Sequence, residues 1–472
     1  MQLGFLIVIV SALFFCVMAL WYVRNKKYTL ESFIMKRDVS WYAAIATTVV
    51  SSLGAWILFS PAEAAVSFGI MALVGYALGS AAALWIFIWF GSHLRKRMPK
   101  GHLLTEYVRI RYGKAMNALI VAISGFYMGV FLTAELTGIS LAIQLIYGIP
   151  LIVTAVIIAI GTAIYAAIGG IDATIFTDRV QHTIILPLLA ITLFASIIFV
   201  GDLSIIHKEV NDINPELLNP VSIPALSFGI TLIIAIVAAN LFHQGYWQRV
   251  YITKTTRQMK DNFFGAGILV FFIIMAAGFF GFIALAKSDV PNPSIALFAF
   301  LQTVPAWIST LAVILAIALV MSSIDTLLNA LASMFSIEVK QFKENLHPKK
   351  IMVSAQWFTV VVAAIAILIA AKGYSVLYLF LVADLVCCAA AFPTFYGLFS
   401  KTYSSKIAIT SIIGGIIAGS LFFPNPSFSD GNLLHSFLIA LVVPMIISLF
   451  DFKEKEFDFK RLQKVDYLDA RK

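Results

Sequence analysis

Charge is scarce in this chain, and positive charge is almost missing from every second joint between its apolar runs. Asp, Glu, Lys and Arg make up 12% of 472 residues while 61% are hydrophobic. With a mean hydropathy of +0.95, that excludes a soluble globular domain and a disordered chain. Cysteine is nearly absent too. Cys16, Cys387 and Cys388 all fall inside apolar runs, and adjacent Cys387 and Cys388 point to different helix faces, so no disulfide framework or metal-ligand spacing is expected. No HExxH, no GxSxG and no paired Cys/His ligands occur, which argues against a membrane enzyme. The joints are short, so no appended soluble or output domain is expected. No apolar run is polar along a full face, as a channel would need. The first run lacks a basic leader, beginning Met1-Gln2-Leu3-Gly4, and its basic cluster Arg24, Lys26 and Lys27 follows it. That order fits a retained helix rather than a signal peptide.

What is present is a regular alternation. Apolar stretches lie near 3–23, 41–60, 68–93, 116–147, 150–168, 172–200, 224–244, 263–287, 306–336, 351–371, 374–399, 406–423 and 434–450. A helix needs about 20 apolar residues to cross a bilayer, so about thirteen crossings are expected. Period-two patterning is missing, so the expected fold class is an all-α integral membrane protein. Of 33 Lys and Arg residues, only Lys208, Lys287 and Lys372 lie on one set of alternate joints. Positive charge stays cytoplasmic, which puts the N-terminus outside, the C-terminus inside, and the tail 451–472 in the cytoplasm. The formal charge of +9 follows from that topology and from anionic lipid headgroups rather than from a nucleic-acid partner. The expected surroundings are the lipid bilayer of the cell membrane, crossed many times, and nothing in the sequence demands an obligate protein partner.

Ionisable side chains at membrane depth are costly and usually functional. The candidates are Glu135, Asp178, His182, His243, Asp325 and Asp384, with Glu63 near the outer mouth, where water can reach it. Ser322 and Ser323 in mid-run could complete an oxygen cage for a desolvated cation, although membrane serines also bond back to the preceding turn. Asp325 lies three residues past Ser322 on the same face, below that cage. Around Thr47-Thr48-Val49-Val50-Ser51-Ser52-Leu53-Gly54-Ala55-Trp56, small and hydroxylated residues could unwind a helix and free carbonyls for ions or solute. Trp56 could stack on a solute. The joint 169–181 is glycine-hinged and places Asp178 where it could receive a departing cation, or cap a helix start. Asn240, His243 and Gln244 suit a solute pocket with an aromatic gate, while Gln248 and Arg249 read as an amphipathic exit into the cytoplasm.

These residues resemble a known family. GGIDATIFTDRVQ (169–181) is similar to the glycine-glycine, Trp/Phe-Thr-Asp, Gln signature of the sodium:solute symporter family, which includes sodium–sugar, proline, sialate and urea carriers. VMSSIDTLLNALASMFSIEV (320–339) resembles that family's later sodium-site helix, and HQGYWQR (243–249) its Gln-Arg stretch. The resemblance implies the leucine-transporter fold, two inverted five-helix repeats within one transmembrane transporter domain, 1–472. Here the repeats would be 41–200 and 224–400, with an extra helix at 3–23 and two more within 406–450. It implies sodium as a co-transported ion held by the carbonyls of Val50, Leu53 and Leu319 and the hydroxyls of Ser322 and Ser323. Asp178 would lie on the inward release path, with Asp325 below it. Ser52 falls where some members reach substrate or ion.

SSLGAWILFSPAEAA, RKRMP, TEYVRIRYG and YLFLVADLVCCAAAFP look most like the urea and polyamine carrier branch. Ala239 and Asn240 stand where sugar carriers have a tyrosine-aromatic gate. Glu135 and Asp384 would suit a cationic or amide-bearing solute. The expected function is therefore sodium-coupled symport of a small organic solute (urea, polyamine, amino acid or similar) by alternating access. A proton-coupled urea-type permease and a transporter-like solute sensor stay open as alternatives.

Overall fold

Within hydrocarbon a backbone must satisfy its own hydrogen bonds, and helices do so within one segment. The computed structural model describes residues 2–201, 203–343, 346–451 and 456–469. Among these no strand forms, and Val39 with Thr253 makes one isolated bridge. The first helices are α1 (Gln2–Val23), α2 (Leu30–Ile34) and α3 (Trp41–Ser52), the last leading through a tight turn at Ala55–Leu58 into α4 (Ser60–Phe68). Then come α5 (Ile70–Arg97), α6 (Leu104–Tyr112), α7 (Lys114–Tyr147), α8 (Leu151–Val200) and α9 (Leu203–Ile213). The chain continues with α10 (Ile223–Asn240), α11 (Gln244–Ile252), α12 (Thr256–Lys287), α13 (Ala296–Leu301) and α14 (Ala306–Phe342). It closes with α15 (Pro348–Ala370), α16 (Val376–Tyr396), α17 (Ser405–Ser420) and α18 (Leu433–Ser448).

Nine helices among the described residues are long and apolar enough to span a membrane, or ten if α3 and α4, bent by 52°, make one broken span. The sequence leads one to expect about thirteen, and the difference has physical sources. Helix α8 runs for 50 residues and carries two of the apolar stretches, more than twice the ~20 residues of one crossing. They meet at Gly170, whose φ of 51° and ψ of −145° are not helical. An L side chain rarely adopts that conformation, and a Cβ there would lie 2.3 Å from the Phe33 carbonyl oxygen. Helices α17 and α18 have 16 residues each and fall short of the spanning length.

Helix α14 is the axis of the bundle. It packs on α3, α7, α8, α11 and α15, and every residue from Leu315 to Met334 is buried. Helix α1 packs on α8 and leaves Phe5, Leu6, Leu13, Phe14, Val17 and Trp21 exposed, as a peripheral helix in lipid would.

The basic joints gather at one end. Arg95 donates to the Val250 and Thr253 carbonyls, Arg109 pairs with Glu338, and Arg111 donates to the Gly397 and Tyr403 carbonyls. Tail residues lie across them: the Phe457 N–H donates to the Lys401 carbonyl, Lys100 pairs with Asp466, and the Leu468 N–H donates to Glu31. Residues 452–455 and 470–472 of the expected tail lie outside the described residues.

At this end His102 is fully buried between two carboxylates. Its Nε2 is 2.8 Å from Glu31 and its Nδ1 is 3.1 Å from Glu106. An imidazole facing acceptors on both nitrogens must carry both protons. Burial alone would pull its pKa down; the Glu106 and Glu31 carboxylates outweigh that and push it from 6.5 up to about 9. A folded value above the unfolded one contributes stability that is full below the unfolded pKa and is lost as pH rises through the folded one. We therefore expect the detergent-solubilised protein to melt at progressively lower temperature between pH 6.5 and about 9. His102→Gln should remove that slope, worth on the order of 1–3 kcal/mol. An unchanged slope in the variant would assign the pH dependence elsewhere.

Candidate ion and solute site

The break after α3 begins with hydroxyls that compete with the helix. Thr48, Ser51 and Ser52 each donate to the carbonyl four residues back, a bonding pattern that bends helices. The Leu53 N–H is shared between the Val49 and Val50 carbonyls, at 3.0 and 3.1 Å, and Gly54 is extended at φ −64° and ψ 169°. The freed N–H groups of Ala55 and Trp56 donate to the Glu135 carboxylate of α7, at 3.0 and 3.4 Å. A Cβ on Gly54 would lie 2.2 Å from Glu135 Oε1 and 2.6 Å from Ser323 Oγ, so glycine lets α7 and α14 close on the break. Glu135 was expected to meet solute. Its carboxylate instead holds the unwound backbone, and it does not line the cavity described below.

The five residues expected to hold sodium lie where α3 and α14 meet. Val50 and Leu53 end the broken helix, buried. On α14 the Leu319 carbonyl accepts from Ser323 at 3.0 Å, while Ser322 donates to Asp178 Oδ1 at 2.9 Å. Ser323 also sits beside Gly54, joining the two helices at one point.

Below this contact runs a buried polar seam between α3, α8, α11 and α14. Asp178 Oδ2 accepts from Thr47 and Ser51 and pairs with Arg249 at 3.3 Å, with both side chains at 0% exposure. Asp325 accepts from Tyr165 at 2.9 Å and Thr177 at 2.8 Å. Asp178 and Asp325 thus lie in one network, through Ser51, Arg249 and Thr326. Arg249 is the residue that sequence reasoning missed. It does not exit into the cytoplasm; α11 carries it inward to the network's centre. Gln248 is buried as well, donating to Ile34 O and Ser333. The available signal was the apolar and aromatic company of Arg249 in HQGYWQRVYI (243–252).

A second chamber opens beside the break. Ser52, Trp56, Asn240 and Asp384 line it. Tyr76, Tyr127, Phe131, Tyr246 and Phe380 complete an aromatic wall that the sequence reading did not include. Trp56 stacks on Tyr76 with centroids 5.6 Å apart. The chamber has about 40 Å³ of free space, room for about three water molecules. No protein group among the described residues hydrogen-bonds the Asp384 carboxylate. His243 stands behind the wall, stacked on Tyr246 at 4.5 Å and edge-on to Phe131 at 5.8 Å. Gln244 is committed elsewhere, accepting from the Leu104 N–H at 3.1 Å and donating to Ser124 at 2.9 Å. Glu63 is buried, not wet, and accepts from Ser294, Ser375 and the Leu377 N–H.

A broken helix against a central helix, with a polar contact and a chamber beside it, is an arrangement suited to a secondary transporter. The chain matches the model of the sodium:solute symporter family over residues 32–415 and belongs to that family. It is 26% identical to the spermidine transporter DUR31 of Candida albicans, over 85% of this chain and 80% of that one. It is 24% identical to the sodium/glucose cotransporter of Vibrio parahaemolyticus, over 95% and 91%. It is 23% identical to the probable urea active transporter 1 of Schizosaccharomyces pombe, over 93% and 74%. Among solved structures, a Na+-coupled sialic acid symporter superposes with a TM-score of 0.75 at 19% identity, over 96% of this chain and 99% of that one. The nucleobase-cation-symport-1 family transporter Mhp1 gives 0.53 at 14%, over 88% and 94%. The fold is the leucine-transporter fold, and the protein is a multi-pass membrane transporter rather than an enzyme.

Gly54→Ala should test the close approach at the break. The added methyl forces Glu135 and Ser323 apart, an overpacking cost of about 1–3 kcal/mol. We expect normal membrane insertion with solute uptake reduced about tenfold or more. Wild-type uptake in that variant would show that the close contact is dispensable.

Proposed function

We propose that this protein carries a small nitrogen-rich solute into the cell together with sodium, and that Asp384 is the residue that selects the solute. The observation that carries this reading is a buried carboxylate with no hydrogen-bond partner among the described residues, facing an aromatic chamber. An uncompensated buried charge costs several kcal/mol, so the chamber is incomplete without a cation or a strong N–H donor. Aromatic faces attract cations, and here they line the rest of the chamber. The free space suits urea or one amino end of a polyamine, in keeping with the spermidine and urea transporters among the relatives. Ser52, Trp56 and Asn240 would contact the solute directly. His243 would act through Tyr246, while Glu135 would shape the site by holding the break and Gln244 by anchoring α11.

Sodium would bind between the Val50, Leu53 and Leu319 carbonyls and the Ser322 and Ser323 hydroxyls, then leave past Asp178 and Asp325. Support comes from the contact of Ser323 with the break and of Ser322 with Asp178. The repeats would be 41–200 and 224–400 within one transporter domain, with the end bearing the basic joints in the cytoplasm. One inward positive charge gains about 2.3 kcal/mol per 100 mV, and a tenfold sodium gradient adds about 1.4 kcal/mol. One ion can therefore support accumulation of a neutral solute by a few hundredfold. A proton-coupled reading has one observation behind it: Asp178 and Asp325 share a single guanidinium, so the seam is one positive charge short of neutral.

Uptake of labelled urea, putrescine, proline and acetate into proteoliposomes separates these readings, with an inward sodium gradient, a proton gradient or neither. We expect urea or putrescine to enter only with sodium. Uptake with protons alone would overturn sodium coupling, and uptake of acetate in preference to urea and putrescine would overturn the role of Asp384. Ser322→Ala with Ser323→Ala should raise the sodium needed for half-maximal uptake about tenfold or more, as losing two ligands of a desolvated ion requires. Asp384→Asn should weaken solute affinity by a similar factor without changing the sodium requirement of sodium binding measured alone.

A further inference from the structure

Arg249 holds its charge in an unusual place. Its Nη2 reaches Ser51 at 2.8 Å, Thr326 at 3.1 Å, Thr47 at 3.2 Å and Asp178 Oδ2 at 3.3 Å. Four oxygens from three helices converge on one nitrogen that has only two hydrogens to donate. The four oxygens therefore share two N–H groups and surround one end of the guanidinium's positive charge. The remaining donors are poorly used: Nη1 makes one long bond, 3.4 Å to the Gly245 carbonyl, and the buried Nε has no partner. Asp178 is thereby divided. Its Oδ2 faces Arg249, while its Oδ1 takes the Ser322 hydroxyl, on the side where sodium would arrive.

We propose that Arg249 is a tethered cation that holds one face of Asp178, so that sodium passes this carboxylate without settling on it. The inference rests on the reading of Asp178 as the inward release point and goes beyond it by naming what sets the release rate. A fully buried carboxylate without a counter-charge would retain any cation that reached it. With Arg249 in place Asp178 already has a counter-charge, so an ion gains less by staying on it than it would from a bare carboxylate. Arg249 acts through Asp178 and is a positioning residue. It also explains why a transporter would keep an arginine at 0% side-chain exposure beside the helix break: removing it would strengthen ion binding and slow the cycle.

The test separates net uptake from exchange in proteoliposomes, for wild type, Arg249→Gln, Arg249→Lys and the double variant Asp178→Asn with Arg249→Gln. Net uptake requires sodium to leave inside; solute exchange at saturating sodium on both sides does not. In Arg249→Gln we expect the sodium concentration for half-maximal exchange to fall about tenfold, net uptake to fall about tenfold, and the exchange rate to stay within about twofold of wild type, the loss of a buried counter-charge being large enough for this. Arg249→Lys should recover much of the net uptake. The double variant, which removes both charges, should release sodium quickly again and regain net uptake at a higher sodium requirement. Parallel loss of uptake and exchange, or a raised sodium requirement in Arg249→Gln, would overturn the proposal. If Arg249→Gln does not fold, the double variant decides, and its failure to regain net uptake relative to exchange would overturn the proposal as well. A wild-type protein indifferent to sodium would instead remove the reading on which the proposal rests.

Discussion

The contact between Arg249 and Asp178 is the point on which the bundle's interior turns. It joins α11 to α8 and, through shared hydroxyls, to α3 and α14. A fully buried ion pair is weak evidence for stability, because desolvation can cancel the Coulombic gain. Its presence at the meeting point of the broken helix and the central helix is better understood as a device for function. The helices around it are rich in Thr and Ser, whose hydroxyls complete the hydrogen bonding that a bare guanidinium and carboxylate would lack. Remove those hydroxyls and the pair becomes an unsatisfied polar cluster inside hydrocarbon-like packing, among the costliest arrangements a membrane protein can hold.

Much of this was legible in the sequence, for reasons that can be named. The helices follow from hydropathy alone, since a bilayer tolerates almost nothing else. The break at Gly54 is announced by Thr47, Thr48, Ser51 and Ser52, whose short hydroxylated side chains have no business in the middle of a Leu-rich span. Ser322 and Asp325 lie on one face because three residues make nearly one turn. What the chain did not announce is where a side chain at a helix end would point. Arg249 ends a run of Gln and aromatic residues, and by position alone it could snorkel outward or fold inward. The inward choice depends on carboxylates from α8 and α14, which are far away in sequence. The aromatic wall was hidden for a similar reason. Tyr76, Tyr127 and Phe380 are ordinary residues in ordinary spans, and only the crossing of α5, α7 and α16 brings them together.

The end that bears the basic joints shows a related economy. The tail, the α5–α6 joint and the joint after α1 are held together by His102, Glu31, Arg37 and Lys100, with Tyr467 between the Arg37 and Lys100 cations, 5.1 and 4.8 Å from its ring. These contacts lie beside the entry to α3, the first half of the broken helix. Order at this end is therefore continuous in space with α3.

The four carboxylates buried near the bundle's middle can be sorted by what already satisfies them. Glu135 accepts two backbone N–H groups. Asp178 has a guanidinium and three hydroxyls. Asp325 has tyrosine, two threonines and a share of the same positive field. Each has an internal reason to exist in the resting protein. Asp384 has none among the described residues, and of the four it alone lines the chamber. An unpaired buried carboxylate is costly unless a proton, a cation or N–H donors neutralise it, which is why the proposed function assigns Asp384 to a solute with such groups. On the function proposed above, these charges divide the labour: Glu135 holds the unwound backbone, Asp178 and Asp325 would manage the ion, and Asp384 would be left for the solute.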